Sequence, residues 1–425
     1  MYRKTLEFLY NALPEFQQVG ADAYKPGLER VSAFLRRLDE PQRSFRAVHI
    51  AGTNGKGSTS HILAAVLMAA GYRVGLYTSP HLRDFRERIR IDGATISEQE
   101  VVEFVERHRD AMEGLSFFEM TVGMAFERFR AAGVDVAVVE TGLGGRLDAT
   151  NVITPVLSVI TNIGLDHTAL LGDTIPQIAA EKAGIIKAGV PVVVGERSTE
   201  SDAVFEARAS ELDAPLIFAQ DVWRCSGSQP LAETQMLQME RVADGSGSSI
   251  ELDLLGEYQR KNIVTCLAAI DTLNKHSTLQ VPPEAVAQGC IAAARSTGLL
   301  GRWQKLGERP LIIADTGHNE HGIREVAAQI VRQHYGKLYM VVGFAADKDV
   351  AAMLRLLPRT AYYLFTQPSS RRALPATELA RLGQAAGLEG EVAATVPEAL
   401  ARARNLAALE DMIFVGGSNF VVAEI

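Results

Sequence analysis

Short runs of β-branched residues recur along the chain, with room for a helix between most of them. Val48 to Ile50, Val74 to Tyr77, Val134 to Val139, Val156 to Ile160 and Val190 to Val194 each read as a buried strand. Amphipathic stretches lie between several of these runs, such as the one carrying Ile62, Leu63, Val66 and Leu67. Continuous apolar strands alternating with helices predict an α/β fold, a mostly parallel sheet covered by helices on both faces. A second series follows, with strands at Leu311 to Ala314, Leu338 to Val342, Ala361 to Phe365 and Met412 to Val415. Helical patterns at Ile323 to Ile330 and Leu379 to Ala386 separate them. The turn-rich Ser296-Thr297-Gly298-Leu299-Leu300-Gly301 sits between the two series and predicts a seam. The expected domains are therefore residues 1–297 and 298–425. From 196 to 255 the pattern blurs, and Ser226-Gly227-Ser228 and Asp244-Gly245-Ser246-Gly247-Ser248-Ser249 mark loops or hairpins.

At 425 residues with 47% hydrophobic content, the chain can bury two cores. No apolar run approaches the ~20 residues of a membrane span, and Glu7 and Asn11 soon after the basic start argue against a secretory signal. Three scattered cysteines, Cys225, Cys266 and Cys290, predict free thiols in a reducing compartment, with neither a disulfide framework nor a zinc site. A net charge of −8 leaves no footprint for nucleic acid. The expectation is a cytoplasmic enzyme acting on small molecules, without nucleic acid or membrane partners.

The first candidate site follows the first strand. Gly52-Thr53-Asn54-Gly55-Lys56-Gly57-Ser58 leads from an apolar run into a helix-like run. A glycine-rich turn there aims backbone N–H groups and a helix dipole at one spot, which suits a phosphate. Lys56 adds charge for the outer phosphates, and a hydroxyl at Ser58 or Thr59 lies where Mg²⁺ would be held. The loop departs from the general phosphate-loop pattern because Gly57 separates the lysine from the serine.

Ligands of such sheets collect beyond the carboxyl ends of the strands. After the run ending at Val139 comes Glu140-Thr141-Gly142-Leu143-Gly144-Gly145-Arg146-Leu147-Asp148. After Ile160 comes Thr161-Asn162-Ile163-Gly164-Leu165-Asp166-His167, and after Ala314 comes Asp315-Thr316-Gly317-His318-Asn319. Singly, Glu140 also reads as a solvated loop acid, His167 as a packed or capping histidine and Asp315 as a turn residue. Gathered at one lip beside a phosphate loop, acids and a neutral imidazole suit Mg²⁺ or Mn²⁺ bridging phosphate oxygens.

These motifs resemble those of folylpolyglutamate synthases and bifunctional dihydrofolate synthases, members of the Mur ligase superfamily. Tyr77-Thr78-Ser79-Pro80-His81-Leu82 with Glu87-Arg88, and Glu181-Lys182-Ala183-Gly184, complete the match, and Gly57 is part of that family's loop. The resemblance implies an N-terminal ATPase domain with a folate site and a smaller C-terminal Rossmann-like glutamate-ligase domain. It implies ATP as substrate, two Mg²⁺ ions, and an acyl phosphate attacked by L-glutamate, with dihydropteroate or reduced folates as acceptors and a monomeric enzyme. By motif position, Gly52, Thr53, Asn54, Gly55, Lys56, Gly57, Ser58, Asn262, Arg302 and Asp315 look like ATP contacts. Ser79 and Glu140 look like ligands of one Mg²⁺, and Glu140, His167 and Lys182 the set around a second, with Lys182 carbamylated by CO₂ and Lys187 a decoy. Arg88, His318 and Ser418 look like residues near the incoming glutamate, and Phe118 and Asp148 like a pterin pocket. Lys56, Lys182, Asp315 and His318 are the expected catalytic set.

Three alternatives stay in view. One is a folylpolyglutamate synthase alone. Another is a different Mur-type amino-acid ligase, for which the 51 residues before Gly52 are too few to hold a UDP-sugar domain. The third is a regulatory GTPase, which would carry a guanine-reading Asn-Lys-x-Asp.

Overall fold

Each of the β-branched runs becomes a strand buried on both faces. The first sheet joins five of these runs to three further strands: β1 (Arg46–Ala51), β2 (Val74–Tyr77), β3 (Ile89–Ile91), β4 (Ala94–Thr95), β5 (Val136–Glu140), β6 (Leu157–Ile160), β7 (Val192–Val194) and β8 (Leu216–Phe218). Their order is β4-β3-β2-β5-β1-β6-β7-β8. All neighbours from β2 to β8 pair in parallel, and β3 and β4 form an antiparallel edge. Val48, Ile50, Val136, Val138 and Val139 are wholly removed from solvent, each burial contributing roughly 1.5–3 kcal/mol.

The sheet grows outward from β1. β5 and β2 lie on one side of it and β6, β7 and β8 on the other, so the order reverses beside β1 and opens a crevice at the strand ends there. Registers align those ends: Tyr77 pairs with Val139, Ile50 with Glu140, and Ala51 with Ile160.

The computed structural model describes residues 1–13 and 25–425. The chain divides into two units, one made of the described chain up to Asp253 with Gln259–Leu299, the other of Leu254–Tyr258 with Leu300–Ile425. The turn at Ser296 to Gly301 straddles that division, and the Leu254–Tyr258 segment, which the pattern assigns to the first domain, groups with the second. The second unit has a six-stranded sheet of order β12-β13-β17-β14-β15-β16, built from β12 (Gln304–Glu308), β13 (Leu311–Asp315), β14 (Leu338–Val342), β15 (Tyr362–Phe365), β16 (Glu389–Val392) and β17 (Met412–Gly416). Only β12 runs antiparallel. The fold is α/β with mostly parallel sheets in both units.

The blurred region holds a three-stranded antiparallel sheet of β9 (Trp223–Pro230), β10 (Gln235–Arg241) and β11 (Gly247–Leu252). One face of β10 is buried and the other is not, so Leu237 and Met239 alternate with Met236 and Gln238. Such a strand carries no apolar run to read. All three cysteines are free, and no helix among the described residues is long and apolar enough to cross a membrane.

Candidate functional site

The loop between β1 and the Lys56–Ala69 helix depends on two glycine conformations. Gly52 has φ +152° and Gly55, the N-cap, has φ +81°, a region that side chains disfavour. Space forbids side chains as well: a Cβ at Gly52 would run into Thr161 Oγ1, and one at Gly55 into Asn262 Oδ1. The helix therefore opens at Lys56, with its first-turn N–H groups facing the loop.

The neighbouring strand end clamps the loop. Thr53 N donates to Asn162 O (3.0 Å) and Asn54 N to Asn162 Oδ1 (2.9 Å). Gly164 N donates to Thr53 Oγ1 (3.0 Å), and Thr161 Oγ1 donates to Asn54 O (2.6 Å). From the Gln259–His276 helix, Gln259 Nε2 donates to Ser58 Oγ (3.1 Å), and Asn262 Nδ2 donates to Gln259 Oε1 (2.7 Å). Motif reasoning gives Thr161, Asn162 and Gln259 no role because they act on the loop; their signal is their place after a strand or beside Asn262.

Two lysines meet this loop. Lys56 Nζ donates to Gly52 O (3.0 Å) and Thr53 O (3.2 Å). Lys182, buried near the end of the Ile175–Ala183 helix, also donates to Gly52 O, at 2.9 Å. Burial, and then the charge of Lys56, lower the Lys182 ammonium to about 7 from its ordinary 10.5. Much of it is thus the neutral amine, the form that can attack CO₂. Lys187 turns elsewhere, to Asn151 O at 3.0 Å.

Glu140, buried, ends β5 next to the β1 loop. Ser79 follows β2, the next strand beyond β5. His167 follows β6 and has φ +51°, a strained conformation for a non-glycine residue, capping the Thr168–Leu171 turn. No three His, Cys, Asp or Glu side chains among the described residues gather as a metal cluster. Neither expected Mg²⁺ set needs one, since each takes at most Glu140 and His167 from those types. A buried carboxylate, a serine hydroxyl and a lysine able to become a carbamate are hard oxygen donors, and they fit Mg²⁺.

Arg88 is buried, with Nε donating to His81 Nδ1 (2.8 Å) and its guanidinium over the Phe117 ring (5.2 Å). That hydrogen bond requires His81 to be neutral, and burial followed by the charge of Arg88 holds its pKa well below the usual value. Of the two adjacent phenylalanines, Phe117 is core and Phe118 remains partly exposed, its ring on Gly142 and 5.9 Å from Tyr77. Gly142 N in turn donates to Asp148 Oδ2 (2.9 Å), so Phe118 and Asp148 do meet, around that glycine. Asp148 also accepts from Leu143 N, Thr150 N and Thr150 Oγ1. Four donors from its own chain match the roughly four acceptor sites of a carboxylate. A pterin contact to Asp148 would share one of these bonds.

The remaining expected residues lie in the second unit. Asp315 ends β13, buried, its pKa raised by burial. It accepts from Tyr258 Oη (2.6 Å), Trp303 N (2.7 Å) and Gly317 N (2.8 Å). Its carboxylate thus organises the Arg302 and His318 loops. Arg302 is bonded to Thr316 Oγ1, and His318 Nδ1 donates to Thr316 O (3.0 Å). Ser418 follows β17, the parallel neighbour of β13, and its Oγ caps Val421 N.

Residues 50–270 match the model of the Mur ligase middle domain and residues 301–419 that of the Mur ligase glutamate ligase domain. A folylpolyglutamate synthase of Lacticaseibacillus casei is 35% identical over 420 residues, covering 95% of this chain and 93% of that protein. The chain belongs to the folylpolyglutamate synthase family of Mur ligases. A probable bifunctional folylpolyglutamate synthase/dihydropteroate synthase of Haloferax volcanii is 35% identical over the whole of this chain, which spans 50% of that longer protein. A crystal structure of a bifunctional folylpolyglutamate synthase/dihydrofolate synthase with Mn, AMPPNP and L-glutamate bound superposes with a TM-score of 0.83 at 32% identity, over 100% of this chain and 96% of the other. In this folylpolyglutamate synthase family member, the loop, Lys182 and Glu140 lie together at the strand ends where the sheet order reverses.

Proposed function

We propose that the protein is an ATP-dependent ligase that adds L-glutamate to dihydropteroate and to reduced folates. The terminal phosphoryl of ATP passes to the substrate carboxylate, giving an acyl phosphate. The amino nitrogen of L-glutamate attacks its carbon, the bond to the phosphate oxygen breaks, and a proton leaves the nitrogen as the amide forms. The observation that carries this reading is the convergence of Lys56 and Lys182 on the Gly52 carbonyl of a clamped phosphate loop.

In this reading the Gly52–Ser58 amides and Lys56 hold the phosphates of ATP, with Asn262, Arg302 and Asp315 serving the nucleotide. Ser79 and Glu140 would hold one Mg²⁺, and Glu140, His167 and carbamylated Lys182 a second. Mg²⁺ there supplies charge neutralisation for the transferring phosphoryl. Arg88, His318 and Ser418 orient glutamate, Arg88 pairing with a carboxylate. Phe118 stacks on the pterin ring. The protein acts as a monomer of two domains, 1–297 and 298–425, in the cytoplasm.

The test is phosphate release with ATP, Mg²⁺, L-glutamate and either dihydropteroate or a tetrahydrofolate. Release should require all components and occur with both acceptors. Release with the folate only leaves a folylpolyglutamate synthase, and release with neither defeats the proposal.

A further inference from the structure

Past its half-buried first residue, Arg46, β1 is apolar except for one position. His49 is wholly buried between Val48 and Ile50, a position where a leucine or valine would cost no desolvation. Its Nε2 lies 2.8 Å from Thr150 Oγ1, and Thr150 Oγ1 makes a short hydrogen bond to Asp148 Oδ1. The directions follow from chemistry. Asp148 already accepts three backbone N–H bonds, so it is an ionised acceptor, and the Thr150 hydroxyl must donate to it. Thr150 Oγ1 then accepts from His49, which places the imidazole proton on Nε2 and leaves Nδ1 bare. Nδ1 has no hydrogen-bond partner among the described residues. An unsatisfied buried acceptor costs about 1–3 kcal/mol, and a polar group kept at that cost calls for a reason. Burial, then the charge of Lys187, keeps the ring neutral.

The other end of this chain of bonds reaches the aromatic platform. Asp148 Oδ2 holds Gly142 N and Leu143 N at 2.9 Å each, and the Phe118 ring lies against Gly142.

We propose that His49 is a positioning residue for the pterin pocket: through Thr150 it orients Asp148, and Asp148 sets the Gly142-Leu143 turn that supports Phe118. This rests on the reading of Phe118 and Asp148 as that pocket. His49 touches no substrate and acts only through Thr150.

Steady-state kinetics with dihydropteroate and a tetrahydrofolate test it. Thr150→Val should raise KM for the pterin substrate by roughly tenfold, the factor for one hydrogen bond to a charged group, and His49→Leu by roughly fivefold, the factor for a bond between neutral groups. KM for ATP and L-glutamate should stay within about twofold, a split that general destabilisation would not give. Thr150→Ser keeps the hydroxyl and His49→Gln keeps an N–H donor, and both should stay near wild type. Phe118→Ala tests the underlying pocket. If it leaves the pterin KM unchanged, the pocket reading fails and the proposal with it. If it raises that KM while Thr150→Val and His49→Leu do not, the relay alone is wrong. On the unmutated protein, ¹⁵N NMR of labelled histidine should show His49 protonated at Nε2 and bare at Nδ1, and the opposite tautomer would overturn the proposal even if a variant fails to fold.

Discussion

At the scale of single residues, charge decides more than shape. Lys56 carries its ammonium to two loop carbonyls and is not part of the apolar core. Lys56→Ala should therefore abolish ligation while thermal melting stays within a few degrees, and near-normal phosphate release by the folded variant would end the phosphate-loop assignment. Lys182 is held where its amine is partly neutral, which fits a lysine that must add CO₂, lose a proton and become an anion. Lys182→Ala should lose most activity, and short carboxylic acids should restore part of it by supplying the missing oxygens. A bare amine at Lys182 in a nucleotide-bound crystal of active enzyme would refute carbamylation. His49 gives a pH test of stability. Its pKa falls from 6.5 to about 3 on folding, so between those values the unfolded chain binds a proton that the folded one does not. Stability is then lost as pH falls through that window, at up to about 1.4 kcal/mol per pH unit from this group. His49→Gln should flatten the acid side of a urea-midpoint profile, and an unchanged profile would place the titration elsewhere.

At the scale of elements, the working part is a strand, a loop and a helix start held from both sides. The segment after β6 contributes Thr161 and Asn162, and the Gln259–His276 helix contributes Gln259 and Asn262. Gly55 is a tight point because its φ is left-handed and Asn262 Oδ1 stands where a Cβ would go. Strain of that kind costs on the order of 1–3 kcal/mol, and relief by moving Asn262 would disturb the expected nucleotide contact. Gly55→Ala should lower the melting temperature by several degrees and raise KM for ATP more than KM for the folate. Gly114→Ala makes the control, since nothing lies near its Cβ although its φ is also positive. Equal effects of the two would mean that backbone strain alone matters.

At the scale of the whole molecule, the sheet order makes the site. Because the first sheet reverses beside β1, the phosphate loop, Glu140 and Thr161 emerge side by side, and Lys182 reaches them from the Ile175–Ala183 helix. Breadth of substrate belongs to this scale, since one pocket around Phe118 and Gly142 is expected to serve both acceptors. Asp148→Ala should depress dihydropteroate ligation more than folate glutamylation. Some loss with both is now expected, because the variant also removes four internal hydrogen bonds. Equal losses would leave Asp148 a purely internal anchor.

The sequence by itself determined the α/β class, the strands at the centre of each sheet, and the family. Those features are written locally: a strand covered on both faces must be apolar throughout, and a phosphate loop must keep its glycines and lysine in order. The outer strands β3, β4, β8, β12 and β16 and the strand order of the sheet at Trp223–Leu252 were not legible, because one-sided or short strands lean on partners distant in sequence. Roles were divided in the same way. Lys182 and Lys187 differ by five positions on similar sequence, and only packing turned one toward Gly52 and the other toward Asn151. Phe117 and Phe118 are neighbours of one type, and the helix register buried the first and left the second partly exposed. The bonds that saturate Asp148 and the tautomer of His49 depend on which donors arrive from other segments, and only the tertiary structure decides that.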